Sequence, residues 1–199
     1  MSPITHLLAS WIVATKTTNN PRDCRLVTLA GLAPDLDGLG IVLDVIKNTL
    51  NHTQTYDYYQ TYHHSLLHGI AGAVVIAALL AAFARQKWQV FVFALVTFHL
   101  HLVCDLVGSR GPEAGDFWPI YYFAPISNYP AWLWHGQWKL DGWQNQIISV
   151  VLLAWCFRIA IARGSSFVGL FSPRADAVFV STLRKWHAAL MTKRKSRPT

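Results

Sequence analysis

Three short stretches of this chain carry side chains able to hold a divalent cation. His64-Ser65-Leu66-Leu67-His68 and His101-Leu102-Val103-Cys104-Asp105 each set two such groups four residues apart, at the edges of apolar runs. On a helix, residues four apart differ by about 40° and lie one turn apart, so either pair can face one ion or two neighbouring ions. Ala33-Pro34-Asp35-Leu36-Asp37-Gly38 adds two carboxylates on a turn, since Pro34 and Gly38 both break helix. His6 contributes from the start of the first apolar segment. Imidazole with carboxylate and no thiolate suits Zn²⁺, Mn²⁺ or Fe²⁺ rather than a Cys-type structural zinc site. With one coordination position open, such a site acidifies water enough to supply hydroxide at neutral pH. That is hydrolytic chemistry, most naturally on a phosphoester or an acyl group. Asp37 and Asp105 are the candidates to orient or deprotonate the water.

Each of these residues also has an ordinary use. A lone His in an apolar helix is commonly a packed, hydrogen-bonded residue. Asp35 and Asp37 fit a turn or a helix N-terminus. Asp105 fits a helix end near water. What favours ligation is the company they keep, because ionisable groups at membrane depth are costly and mark functional sites. The other histidines fit less well. His99 lies about 200° round the helix from His101 and cannot face the same ion. His63 points about 100° away from His64 and is placed behind the ligands. His52, His135 and His187 lack partner spacing, and Ser65 has no Gly-x-Ser-x-Gly elbow around it.

The elements that must position these groups are apolar helices. Only 14% of the 199 residues are charged against 53% hydrophobic, where a soluble chain has roughly 25% charged. The net charge of +7 therefore points to an anionic membrane surface rather than to a nucleic acid. Ser65–Ala84, Trp88–Val107 and Trp143–Ala162 are each long enough to cross a bilayer. The first two are separated by Arg85-Gln86-Lys87, room for a tight hairpin turn only. Ile4–Thr15 and Leu26–Ala33 are shorter and are expected as short or re-entrant helices. Residues 47–62 read as a polar loop, and 117–143, rich in Trp and Tyr, as an irregular aromatic belt at a membrane boundary. The fold expected is an all-α integral membrane bundle of about three long spans plus shorter N-terminal helices. Residues 1–172 would form the embedded domain with the metal site, and 173–199 a basic cytoplasmic surface helix and tail. The three cysteines lie far apart without a CxxC, giving neither a disulfide framework nor a thiolate site.

Positive charge gives an orientation. With residues 16–25, 85–87 and everything after 157 in the cytoplasm, only Lys47, Arg110 and Lys139 of the 17 Lys and Arg fall on the other side. His6, Asp35, Asp37, His64, His68, His101 and Asp105 then all come near the non-cytoplasmic helix ends.

The stretches Thr5-His6-Leu7-Leu8, Ala33-Pro34-Asp35-Leu36-Asp37, His64-Ser65-Leu66-Leu67 and His101-Leu102-Val103-Cys104-Asp105 stand in the order seen in the YdjM-like inner-membrane, metal-dependent hydrolases of bacteria. The resemblance spans about residues 1–125. That family is distantly similar to zinc-dependent phospholipase C and P1 nuclease, so the resemblance implies zinc and phosphoester hydrolysis, by analogy. The chain departs from a common His-Arg-Gly-x-Thr-His-Ser stretch, having Tyr59, Gln60 and Thr61 at its first three places. One ligand of the pattern is then missing, unless His63 or His68 takes its place.

The function expected is a membrane-bound metal-dependent hydrolase in the bacterial inner membrane, with a lipid or lipid-linked phosphoester as substrate. Two other readings use the same residues. One is a haem or electron carrier with His68 and His101 as axial ligands; the other is an ion transporter with the His/Asp set as its path.

Overall fold

A computed structural model describes residues 1–63 and 67–195, and every regular element in it is helical. Helix α1 spans Pro3–Thr17 and α2 Pro21–Ala30. Both start as their sequences dictate: Ser2 accepts from Thr5 N, Asn20 accepts from Arg22 N and Asp23 N, and a proline occupies the first turn of each. A 3₁₀ turn, Pro34–Leu39, carries Asp35 and Asp37 into α3, Gly40–Asn51. Helix α4 is Asp57–Tyr62, α5 Ile70–Ala82 and α6 Lys87–Gly108. An irregular stretch leads to α7, Trp143–Arg163, and a second 3₁₀ turn, Phe167–Leu170, precedes α8, Pro173–Lys195.

Two expectations need correction here. Of the run expected to span from Ser65, residues 67–69 are not helical and α5 begins at Ile70, because Gly69 is extended (φ −139°, ψ 178°). The segment 47–62 is not all loop. It contains the end of α3 and the whole of α4, tied together by Asp44, whose carboxylate accepts from Tyr58 N (3.0 Å) and Tyr59 N (2.8 Å).

Two helices, α6 and α7, are long and apolar enough to cross a bilayer. The pair Pro21–Ala30 and Pro34–Asn51, bent by 61°, makes a third crossing if it is one broken span. This is a helical membrane protein. Val74, Val75 and Leu79 on α5 and Val96 and Val103 on α6 are exposed, as lipid-facing side chains should be.

The chain divides into two compact units, Met1–Ile148 and Ser149–Thr199. In the first, α1, α2 and α5 all pack on α6. The approach is close because the facing residues are small: Ala73, Ala77 and Ala81 recur every fourth residue on α5, and Ala77 meets Ala30 and Ala94. Phe98 fills the adjoining layer with Leu102 and Ile120. Asp23, fully buried, closes the α5–α6 turn by accepting from Arg85 N (2.9 Å) and Gln86 N (3.0 Å). In the second unit, Asp176 accepts from both Ser166 N and Ser166 Oγ, anchoring the start of α8.

The irregular segment 109–142 is fastened to the end of α6 by side chains. Gln137 Nε2 donates to Asp105 O, Leu106 O and Trp118 O, while its Oε1 accepts from Trp118 N. Asn145 Nδ2 donates to Gly108 O (2.8 Å). These are the carbonyls a helix end leaves without intrahelical partners. Gln137→Ala should therefore lower stability by about 1–3 kcal/mol, since it strands buried backbone groups. A melting curve in detergent beside that of the unchanged protein checks this.

Candidate metal centre

Four elements deliver ligand-type side chains to one place in the first unit. From α1 comes His6, from the 3₁₀ turn Asp35 and Asp37, and from α6 His101 and Asp105. His68 comes from the extended stretch before α5. His6, Asp35, His101 and Asp105 each offer one ligand atom, and these atoms lie within 4.8 Å of one another. Asp37, His63 and His68 form a second such group. His6, Asp37, His68, His101 and Asp105 are buried. His64 and Ser65 lie outside the described residues.

Asp105 is the hub. Its Oδ2 lies 2.9 Å from His101 Nε2 and 3.6 Å from His68 Nε2, and its Oδ1 3.1 Å from His6 Nε2. The amino group of Met1 also contacts Oδ1. Asp35 Oδ1 lies 3.7 Å from His101 Nε2. His6 and His101 stack, with ring centroids 3.7 Å apart. His101 owes its orientation to α2: its Nδ1 donates to Gly31 O (2.9 Å), which leaves the Nε2 lone pair facing the carboxylates. Gly31 also lets α1 pack closely there, since a Cβ on it would come within 1.8 Å of Ser10 Oγ.

Asp37 is the centre of the second group. His63 Nδ1 donates to its Oδ1 (2.9 Å), and His68 Nδ1 (2.9 Å) and Leu67 N (3.1 Å) donate to its Oδ2. His68 thus spans from Asp37 to Asp105. Burial disfavours charge on His68, yet its bonds to Asp105 and Asp37 outweigh that and raise its pKa to about 9. Burial, with the charges of the three aspartates added, raises the Tyr59 phenol to about 12, so it stays protonated.

The arrangement fits a divalent cation. Three carboxylates converge, and among the described residues their partners are the Met1 amino group and imidazoles, with no Lys or Arg. His6 Nδ1, Asp35 Oδ2 and His101 Nε2 are buried without a hydrogen-bond partner. Leaving such groups bare costs about 1–3 kcal/mol each, and a bound ion removes that cost. The haem reading fits poorly. The His68 and His101 rings meet edge-on at 63° with centroids 5.3 Å apart, so they do not face each other across a slot for a macrocycle.

The helical phase argument separates His99 from His101, and the structure places them accordingly. His99 Nδ1 donates to Leu95 O, and its Nε2 meets the hydroxyl of Tyr122, outside the cluster. The same argument, applied to residues 63–68, assumed helix where the chain is not regular at 67–69. His63, expected behind the ligands, bonds the Asp37 carboxylate. The i,i+4 pairing expected of His64 and His68 lies outside the described residues, and among them His68 faces Asp37 and Asp105.

A cavity of about 660 Å³ reaches this cluster, lined by Asp35, His63 and Asp105 together with Tyr59, Arg110 and Trp118. Fold and site together define a helical membrane protein with a buried His/Asp cluster able to hold a metal ion. A family model described as YdjM inner membrane protein matches residues 1–168, beyond the stretch that carries the four motifs. The chain belongs to that family. No curated protein and no solved structure matches it.

Proposed function

We propose that the protein is a membrane-bound, metal-dependent hydrolase acting on a phosphoester, on a lipid or a lipid-linked molecule. The observation that carries this is the donor-rich convergence of His6, Asp35, His101 and Asp105 beside an open cavity that Asp35 and Asp105 line. The imidazole–carboxylate donor set suits Zn²⁺, Mn²⁺ or Fe²⁺, and zinc is the ion the family resemblance implies. His6, Asp35, His101 and Asp105 would hold one ion; His68, alone or with Asp37 and His63, completes that site or holds a second. When bound, the ion supplies Lewis acidity and acidified water. Asp37 keeps its carboxylate between His63 and His68, where it can take a proton and pass it along either ring. The Tyr59 phenol, still protonated, can donate a hydrogen bond to a substrate oxygen.

His101→Ala should reduce metal affinity by at least about a hundredfold and phosphoester hydrolysis with it, whereas His99→Ala should leave both within about twofold. Elemental analysis of detergent-purified protein, beside a chromogenic phosphodiester assay, reads both. Equal losses would place His99 among the ligands and undo the assignment.

The charge distribution supports an orientation with residues 85–87 and the tail in the cytoplasm and the belt 117–143 outside. Cysteines placed at Lys139 and Lys195, in a background without the native three, should label from opposite faces of the membrane. Labelling from one face would reverse this topology.

A further inference from the structure

We infer that the cavity over the cluster receives a phosphorylated amphiphile, with Arg110 gripping the phosphate and an apolar wall holding the hydrocarbon. This rests on the hydrolase reading and adds the residues that would recognise the phosphate and the hydrocarbon of its substrate.

Among the described residues Arg110 is the one Lys or Arg lining the cavity, which it shares with the carboxylates of Asp35 and Asp105. Its backbone is fixed on both sides, Arg110 N donating to Trp138 O (3.1 Å) and Leu140 N to Arg110 O (2.9 Å). The side chain therefore leaves from a set point five residues after Asp105. Its Nη1 donates to Ala114 O (3.2 Å), and its Cζ lies 6.0 Å from the Phe117 ring centroid. Its Nε is buried with no hydrogen-bond partner. Asp116 and Asp141 line the same cavity, yet among the described residues no carboxylate lies within 4.0 Å of the guanidinium. A desolvated, unpaired donor on a fixed cation calls for an anionic acceptor, and the guanidinium fork matches a phosphate.

The rest of the wall is apolar: Leu39, Pro112, Trp118 and Leu140. About 660 Å³ is far more than a bare phosphate needs and falls in the range of sites for drug-sized ligands.

The test is calorimetric titration of the full-length, detergent-purified protein with inorganic phosphate, hexyl phosphate and hexanol, with metal content measured on every sample. Hexyl phosphate should bind at least about tenfold tighter than inorganic phosphate, and hexanol weakly. Arg110→Gln should weaken hexyl phosphate binding by about 10–100-fold, the effect of one charged hydrogen-bonding partner, with metal content unchanged. Arg110→Lys should fall between, since it keeps the charge and loses the fork. Unchanged hexyl phosphate affinity in a folded, metal-replete Arg110→Gln protein overturns the inference. Equal affinity for the two phosphates overturns its lipid half in favour of a free phosphate. Arg110-dependent phosphate binding in a protein that takes up no metal would uphold the clamp while ending the hydrolase reading.

Discussion

Asp105→Asn should yield a protein that inserts and folds but retains no metal and hydrolyses nothing. The side chain keeps its volume and one carbonyl oxygen, so the packing around α6 has no reason to change. What it loses is the charge on which His6, His68 and His101 converge. It also gains an NH₂ group that must face one of those imidazoles. A divalent ion in a buried site depends on nearby anionic charge to offset its own desolvation. The loss of affinity should therefore exceed the roughly 10–100-fold typical of residues that only support a ligand. Metal per protein by elemental analysis, a phosphodiester assay and a melting curve in detergent give the three readings together. Full metal occupancy in Asp105→Asn would end the metal-centre reading. A structural role predicts the reverse pattern: a melting temperature lowered by the equivalent of about 1–3 kcal/mol, with metal content unchanged.

The part of the site that could be read in advance is the part built on one continuous helix. His101 and Asp105 lie well inside α6, where a four-residue spacing fixes a shared face, and the same phase turns His99 toward Tyr122. The carboxylates of the Pro34–Leu39 turn were legible from Pro34 and Gly38, which keep that stretch short and tight. Periodicity fails where Gly69 sets the chain extended, so it carried no sign of the bond from His68 to Asp37. Gly69 itself was the available signal, since glycine ahead of an apolar run marks a delayed helix start. Other features leave no local trace. Gln137 caps carbonyls 31 and 32 residues earlier in the chain, and Asp44 reaches across to the start of α4. Such partners are set by tertiary approach and carry no spacing a sequence can display.

Asp37→Asn should separate holding the ion from handling the proton. As a carboxylate, Asp37 accepts from His63 Nδ1 on one oxygen and from His68 Nδ1 and Leu67 N on the other. An asparagine has one acceptor oxygen and must turn its NH₂ toward either a histidine or the Leu67 amide. One imidazole is then pushed to the other tautomer or turned away, and a supporting change of this kind lowers metal affinity by about 10–100-fold. Excess metal should restore occupancy, because His6, Asp35, His101 and Asp105 are untouched. It should not restore turnover. An amide cannot take up the proton that the carboxylate can, and loss of a general base typically costs about 10²–10⁴-fold in rate. The measurement is phosphodiester hydrolysis by Asp37→Asn across a zinc titration, with bound metal followed in parallel. A rate that climbs to the unchanged protein's value as the site fills would reduce Asp37 to a residue that orients His63 and His68. The attacking water would then have to lose its proton to Asp105 or to solvent in the cavity.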